Sequence, residues 1–131
     1  MVMVGKLTEE RLDYWIPMVN AEYGLSERNA ASKEFFMRLI PLCDFIDNDK
    51  YYIVSIYSWD MWGNSNITIL SWYIKPEHRN IKTIKQVQED IIELAKLKKV
   101  KYIYQGSHLG DKIFKLLEKY GYKPQTFIRE V

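Results

Sequence analysis

The stretch WYIKPEHRNIKTIKQ, residues 72–86, is where this sequence comes nearest to a site for chemistry. An apolar run stops at Pro76, a lone arginine, Arg79, stands in the turn, and a helical period begins at Ile84. A strand feeding a helix in this way presents unpaired N–H groups and the positive end of the helix dipole, which together favour an anion. Phosphate-binding turns of this kind are usually rich in glycine, so that the ligand meets no Cβ. This one contains none. Other reactive residues are sparse. His78, His108 and Cys43 are too far apart in sequence to suggest a zinc site, and no P-loop or nucleophile elbow occurs. Cys43 lies in the mostly apolar IPLCDFI and is expected as a small core residue; with no second cysteine, no intrachain disulfide forms. A single thiol fits a reducing compartment.

The elements that must position this junction follow from the pattern of the chain. Its 131 residues suit one domain with a substantial core, and a net charge of +2 gives no polyanion signal. No apolar run approaches the ~20 residues that span a bilayer, and the start lacks the basic and apolar regions of a signal peptide. Residues 1–4 are expected to add a short strand. Thr8 caps a helix with Leu12, Trp15, Ile16, Val19 and Tyr23 on its apolar face; Pro17 is expected to kink or split it, and Gly24 to stop it. Ser26 caps a second helix with Ala31, Phe35 and Leu39 in its stripe and Phe36 and Ile40 beside it, ended by Pro41. Three strands, LCDFIDND, YYIVSIYSWDMW and ITILSWYIK, joined by short turns, predict an antiparallel meander. A helix over 82–98 carries Ile84, Val87, Ile91, Leu94, Ala95 and Lys98 on one face and Gln88, Glu89, Glu93 and Lys96 on the polar one. The strand KYIYQG, the helix LGDKIFKLLEKYG stopped by Gly121, and the strand PQTFIREV complete the order β-α-α-β-β-β-α-β-α-β. The helix after the strand near 70 predicts a right-handed crossover to a parallel strand near 102. The lysines at 96, 98, 99 and 101 suit a helix C-terminus better than nucleic acid, since no flanking motif supports the latter. Trp59 and Trp62, beside the turn GNSN, are candidates for an exposed partner or self-association surface, or for an acceptor pocket.

This order, and the run from Ile67 to Tyr122, resemble the GNAT superfamily of acetyl-CoA-dependent N-acetyltransferases. Members read V-x-P-x-x-R-G-x-G-x-G at the strand-to-helix junction and L-Y-E-K-x-G-F near the C-terminus. This sequence has Ile74, Pro76 and Arg79 in the first pattern, and Leu116, Glu118, Lys119, Gly121 and Tyr122 in the second. The resemblance implies an α/β (α+β) fold with a mixed central sheet of about six strands and a V-shaped split between the strands near 70 and 102. It also implies that Arg79 and the backbone of Asn80, Ile81, Lys82, Thr83 and Ile84 hold the coenzyme A pyrophosphate. The strand Ser71, Trp72, Tyr73 and Ile74 would pair with the pantetheine arm. The family's three glycines are replaced by Asn80, Lys82 and Ile84.

Acetyl transfer to an amine needs a deprotonated amine and a proton for the departing thiolate. The family's usual acid, a tyrosine of the last helix, is Leu117 here, and the strand ITILSWYIK holds no acidic residue. His108 and Ser71 are the catalytic candidates, His108 first, with Asp60, Glu77 and Tyr120 behind them. Two readings stay open. One is an acetyltransferase with acetyl-CoA as cofactor and an amine as acceptor, in the cytoplasm. The other is an inactive GNAT-like binding or assembly protein, such as a bacteriophage virion or morphogenesis component.

Overall fold

A two-residue strand β1 (Gly5–Lys6) leads into helix α1 (Glu9–Tyr23), and helix α2 (Lys33–Leu39) runs into a 3-10 turn through Pro41. Strands β2 (Cys43–Asp47), β3 (Tyr51–Trp59) and β4 (Ser65–Ile74) form the meander. Helix α3 (Ile81–Lys98) then crosses back to β5 (Tyr102–Gln105), and α4 (Asp111–Lys119) follows. The computed structural model describes residues 3–23, 33–105 and 111–123. The expected last strand over 124–131, the cap at Ser26 and the stop at Gly24 lie outside the described residues.

The sheet runs β1-β2-β3-β4-β5, antiparallel as far as β4, with β5 parallel to β4. That is the mixed α/β architecture expected, with five of about six strands described. On one face Ile46, Ile53, Ile67, Ile69 and Ile74 pack against Val87, Ile91 and Leu94 of α3. On the other, Phe45, Tyr52, Val54 and Tyr73 meet Leu12, Trp15 and Phe36 of α1 and α2. Aromatic pairs tie that second layer together, among them Trp15 and Tyr52 with ring centroids 4.8 Å apart.

Several expectations shift. The N-terminal strand begins at Gly5, after residues 1–4, because its partner is Asp44–Phe45 of β2. Thr8 does cap α1, accepting from the Arg11 N–H at 3.2 Å. Pro17 does not split α1, which runs through it to Tyr23; the proline is exposed, where water can take over the hydrogen bond that its ring removes. In α2 the buried ring is Phe36, while Phe35 is 50% exposed, because Phe36 shares a face with Leu39 and Ile40. Gln88, assigned to the polar face of α3, is 1% exposed. Lys98 keeps its place on the inward side only by reaching the buried Asp44 carboxylate at 2.7 Å. Its neighbour Lys99 ends α3 in the left-handed conformation, with φ 56°. No described helix is long and apolar enough to cross a membrane.

Candidate functional site

The site is built by one irregularity in β4. Val54 of β3 stands opposite Ser71 and Ser55 opposite Ile69, so Leu70 is an extra residue, a β-bulge. The bulge reverses the side-chain parity of the strand. Ile67 and Ile69 face α3 before it, whereas Trp72 and Ile74 face α3 after it, and Leu70 and Tyr73 turn to the α1 side. Pairing with β5 stops at Ile69 opposite Gln105. Beyond the bulge, Ser71–Ile74 has β3 on one side and no strand on the other among the described residues. The Lys75 N–H donates to Lys50 O at 2.9 Å on the β3 side. Strand alternation therefore aims the backbone groups of Trp72 and Ile74 at the open edge. This edge can take an extended ligand by backbone pairing.

The open edge runs straight into the α3 N-terminus. A 3-10 turn over Pro76–His78 leads to Asn80, which is the N-cap of α3. Asn80 has φ −149°, extended backbone, so this junction does not use the left-handed conformation that a glycine would allow. Its Oδ1 accepts from the Thr83 N–H at 2.9 Å and from the Thr83 hydroxyl at 3.2 Å. The Ile84 N–H donates to Asn80 O at 3.1 Å. Of the first-turn donors, the Ile81 and Lys82 N–H groups are the ones without a bond to another described residue. The Ile84 side chain packs on the α3 core rather than over the turn, and Lys82 is exposed.

Arg79 closes the mouth of this edge. Its Nε–H donates to the Ile74 carbonyl at 2.9 Å, on the side away from β3. Its two terminal nitrogens both donate to the Glu22 carboxylate at the end of α1, one of them at 2.5 Å. Glu22 also accepts from the Tyr73 hydroxyl at 2.8 Å, and the guanidinium lies 5.3 Å from the centre of the Tyr73 ring. Glu22 carries no sequence signal: it is one glutamate near the end of a helix, 57 positions from its partner.

The candidate Ser71 is half-buried beside the bulge, with its Oγ 2.7 Å from the Tyr52 hydroxyl. Burial pushes the Tyr52 phenol up, only partly offset by that bond, so it stays protonated. His108 lies outside the described residues. Asp60 is a turn residue, accepting from the N–H groups of Trp62 and Asn64 at 2.9 Å each, and Glu77 is exposed. Leu117 is buried at 5% exposure, in the position where the family resemblance expects a tyrosine. Tyr120 is half-buried.

At the last β4–β5 pair, Ile69 opposite Gln105, a polar row that the sequence did not suggest lies on the α3 side. Gln105 donates to Gln88 Oε1 at 2.9 Å, yet the Gln88 Nε2, Gln105 Oε1 and Tyr122 hydroxyl are buried with no hydrogen-bond partner among the described residues. The Tyr122 hydroxyl lies near enough to Gln105 to feel it, but the two do not close a hydrogen bond, and burial raises its pKa. The one clue in the sequence was the position of Gln88, four residues after Ile84 and three before Ile91 on the apolar stripe.

Two other surfaces compete with this site. An open groove of about 810 Å³ lies between the start of α1 and the β2–β3 turn, lined by Lys6, Arg11, Tyr14, Asp47, Asp49 and Lys75 among others. Its charges are mixed and partly committed: Asp47 accepts from the Trp15 indole at 3.1 Å and Lys75 donates to the Tyr14 hydroxyl at 3.1 Å. Burial raises the Asp47 pKa. The groove takes in the first turn of α1, but the Thr8 hydroxyl already accepts from the Arg11 N–H there and β1 is only two residues long, so we place the site at the junction. The hairpin tip exposes Trp59 at 61% and Trp62 at 79%, as the sequence suggested. Among the described residues no group of three or more His, Cys, Asp or Glu could hold a metal ion.

A mixed sheet with a bulged fourth strand, a fifth strand parallel to the first half of it, and a helix that follows the fourth strand and crosses to the fifth describes the fold of GNAT-type acetyltransferases. Solved structures, acetyltransferases among them, superimpose on it. An acetyltransferase from Trypanosoma brucei matches with a TM-score of 0.68 at 13% identity, covering 100% of this chain and 99% of that one. A ribosomal-protein-alanine N-acetyltransferase from Brucella melitensis biovar Abortus 2308 matches at 0.64 and 12%, covering 99% and 98%. A transcriptional regulator from Bacillus halodurans C-125 matches at 0.72 and 14%, covering 100% and 99%. No protein-family model matches the sequence, and neither does any curated protein.

Proposed function

We propose that the protein is a GNAT-fold acyltransferase that takes the acyl group of an acyl-CoA, acetyl-CoA in the first instance, and passes it to an amine. The observation that carries this reading is the open edge of Ser71–Ile74 running into the N-terminus of α3. In this reading the pantetheine arm pairs with the backbone of Ser71, Trp72, Tyr73 and Ile74. The pyrophosphate meets Arg79, Lys82 and the N–H groups at the start of α3, with Asn80, Thr83 and Ile84 shaping the turn. The amine nitrogen attacks the thioester carbonyl, a C–N bond forms as the C–S bond breaks, and the thiolate takes up a proton. His108 and Ser71 are our assignments for proton transfer, and alignment of the two substrates supplies much of the rate. Acetyl-CoA should give a binding isotherm by calorimetry, and a panel of primary amines should release free thiol from it. His108→Ala should lower that turnover about 100-fold. Failure to bind acetyl-CoA or coenzyme A at millimolar concentration would sink the reading.

Two features favour a second reading, a binding or assembly protein without catalysis. Leu117 is buried and cannot donate a proton, and Asn80 consumes a donor that a phosphate would use. A virion or morphogenesis role has no support in the structural likenesses. Binding of coenzyme A without thiol release from any amine would favour this second reading.

A further inference from the structure

The Arg79 guanidinium is the charged fork that an acyl-CoA phosphate would need, and a carboxylate of this chain already fills it. Both terminal nitrogens donate to Glu22, the Nε–H is fixed on the Ile74 carbonyl, and the Tyr73 ring lies against the guanidinium. A guanidinium fork matches carboxylate and phosphate oxygens with the same geometry, so the two anions are alternatives for one set of donors. The pair is not sealed in the core: the side chain of Arg79 is 35% exposed and that of Glu22 is 27% exposed. Exchange with a ligand from solvent needs no opening of the hydrophobic layers.

We propose that Glu22 is an internal competitor for Arg79, which a phosphate of the ligand displaces on binding. This rests on the acyl-CoA reading and adds a residue from α1 to it. Glu22 is a positioning residue here, acting through Arg79. It holds the guanidinium across the end of the open β4 edge while the site is empty. When a phosphate takes the fork, the carboxylate loses the guanidinium and keeps the Tyr73 hydroxyl, and one tie between α1 and the β4–α3 junction is undone.

Calorimetry of coenzyme A against the full chain tests this, with Glu22→Gln, Arg79→Gln and the double variant at one ionic strength. Removing the competing charge should tighten coenzyme A about fivefold, the scale of a partly exposed ion pair. Arg79→Gln should weaken it, and Glu22→Gln should add nothing once Arg79 is gone. A side chain that served only to hold the fold would lose affinity on replacement rather than gain it. Glu22→Asp, one methylene too short to hold both the fork and the Tyr73 hydroxyl, keeps the charge and should give a smaller gain. It serves if the glutamine variant fails to fold. Binding by the native chain that is unchanged or weaker in folded Glu22→Gln or Glu22→Asp would overturn the proposal and leave the acyl-CoA reading standing. No binding by any of these variants would overturn both.

Discussion

Asn80→Gly tests how much of an anion site the α3 N-terminus still is. The Asn80 carboxamide now accepts from the Thr83 N–H at 2.9 Å, so that donor is unavailable to a ligand. Glycine at an N-cap costs only a few tenths of a kcal/mol relative to asparagine, whereas alanine costs about 1 kcal/mol. For a chain of 131 residues the glycine change should lower the thermal midpoint by about 1 °C and the alanine change by about 3–4 °C. Either change frees the Thr83 N–H, and glycine also removes the side chain that a phosphate would meet first. A hydrogen bond from that N–H to a charged oxygen is worth about 1.5–3 kcal/mol. Taking the lower end, because the junction must still order around the ligand, coenzyme A should bind about tenfold more tightly. Calorimetry reads the affinity and a thermal melt reads the cap. An affinity that falls or stays put in Asn80→Gly, with the melt shifted by only a degree, would refute the idea that the cap and the phosphate share a donor.

Three further perturbations follow from the packing. Ile84→Gly removes a side chain packed on the α3 core and puts glycine into a helix, so urea unfolding should show a loss of about 2–4 kcal/mol; a loss under 1 kcal/mol would mean that Ile84 packs nothing. Tyr122→Phe deletes a buried hydroxyl that has no partner among the described residues, so stability should hold or rise by up to about 1 kcal/mol, and a clear loss in the same assay would show that a partner exists. Asp90 accepts from the Tyr51 hydroxyl, yet burial holds its pKa above the ordinary value. The sign follows: the contribution of this carboxyl is fully present below pH 3.8 and is lost as pH rises through its folded pKa. The midpoint of Asp90→Asn relative to the native chain should therefore climb as pH rises above 3.8, and a flat difference would show that Asp90 titrates normally.

Sequence alone determined the order of the described elements, because each rests on short-range physics. Alternating β-branched and aromatic residues made β2, β3 and β4 visible, and the three-and-four spacing from Ile84 to Lys98 made α3 visible. Gly121, with φ 89°, marked the end of α4 as its left-handed conformation requires. The junction at Arg79 was legible for the same reason, since a proline, an arginine and a helix start are neighbours in the chain. What only the tertiary structure decided depends on partners distant in sequence. The bulge at Leu70 exists because β3 pairs with β4 in a register that leaves one residue over, and the broken alternation between Ile69 and Trp72 shows its meaning only beside that partner. Phe36 rather than Phe35 turned inward because the face of α2 is chosen by the layer it meets. Gln88 is buried because its amide finds Gln105 on another element, a match that no local pattern encodes. Glu22 meets Arg79 only once α1 lies across β4, and that contact puts the arginine most exposed to interpretation in the sequence in the grip of a carboxylate of its own chain.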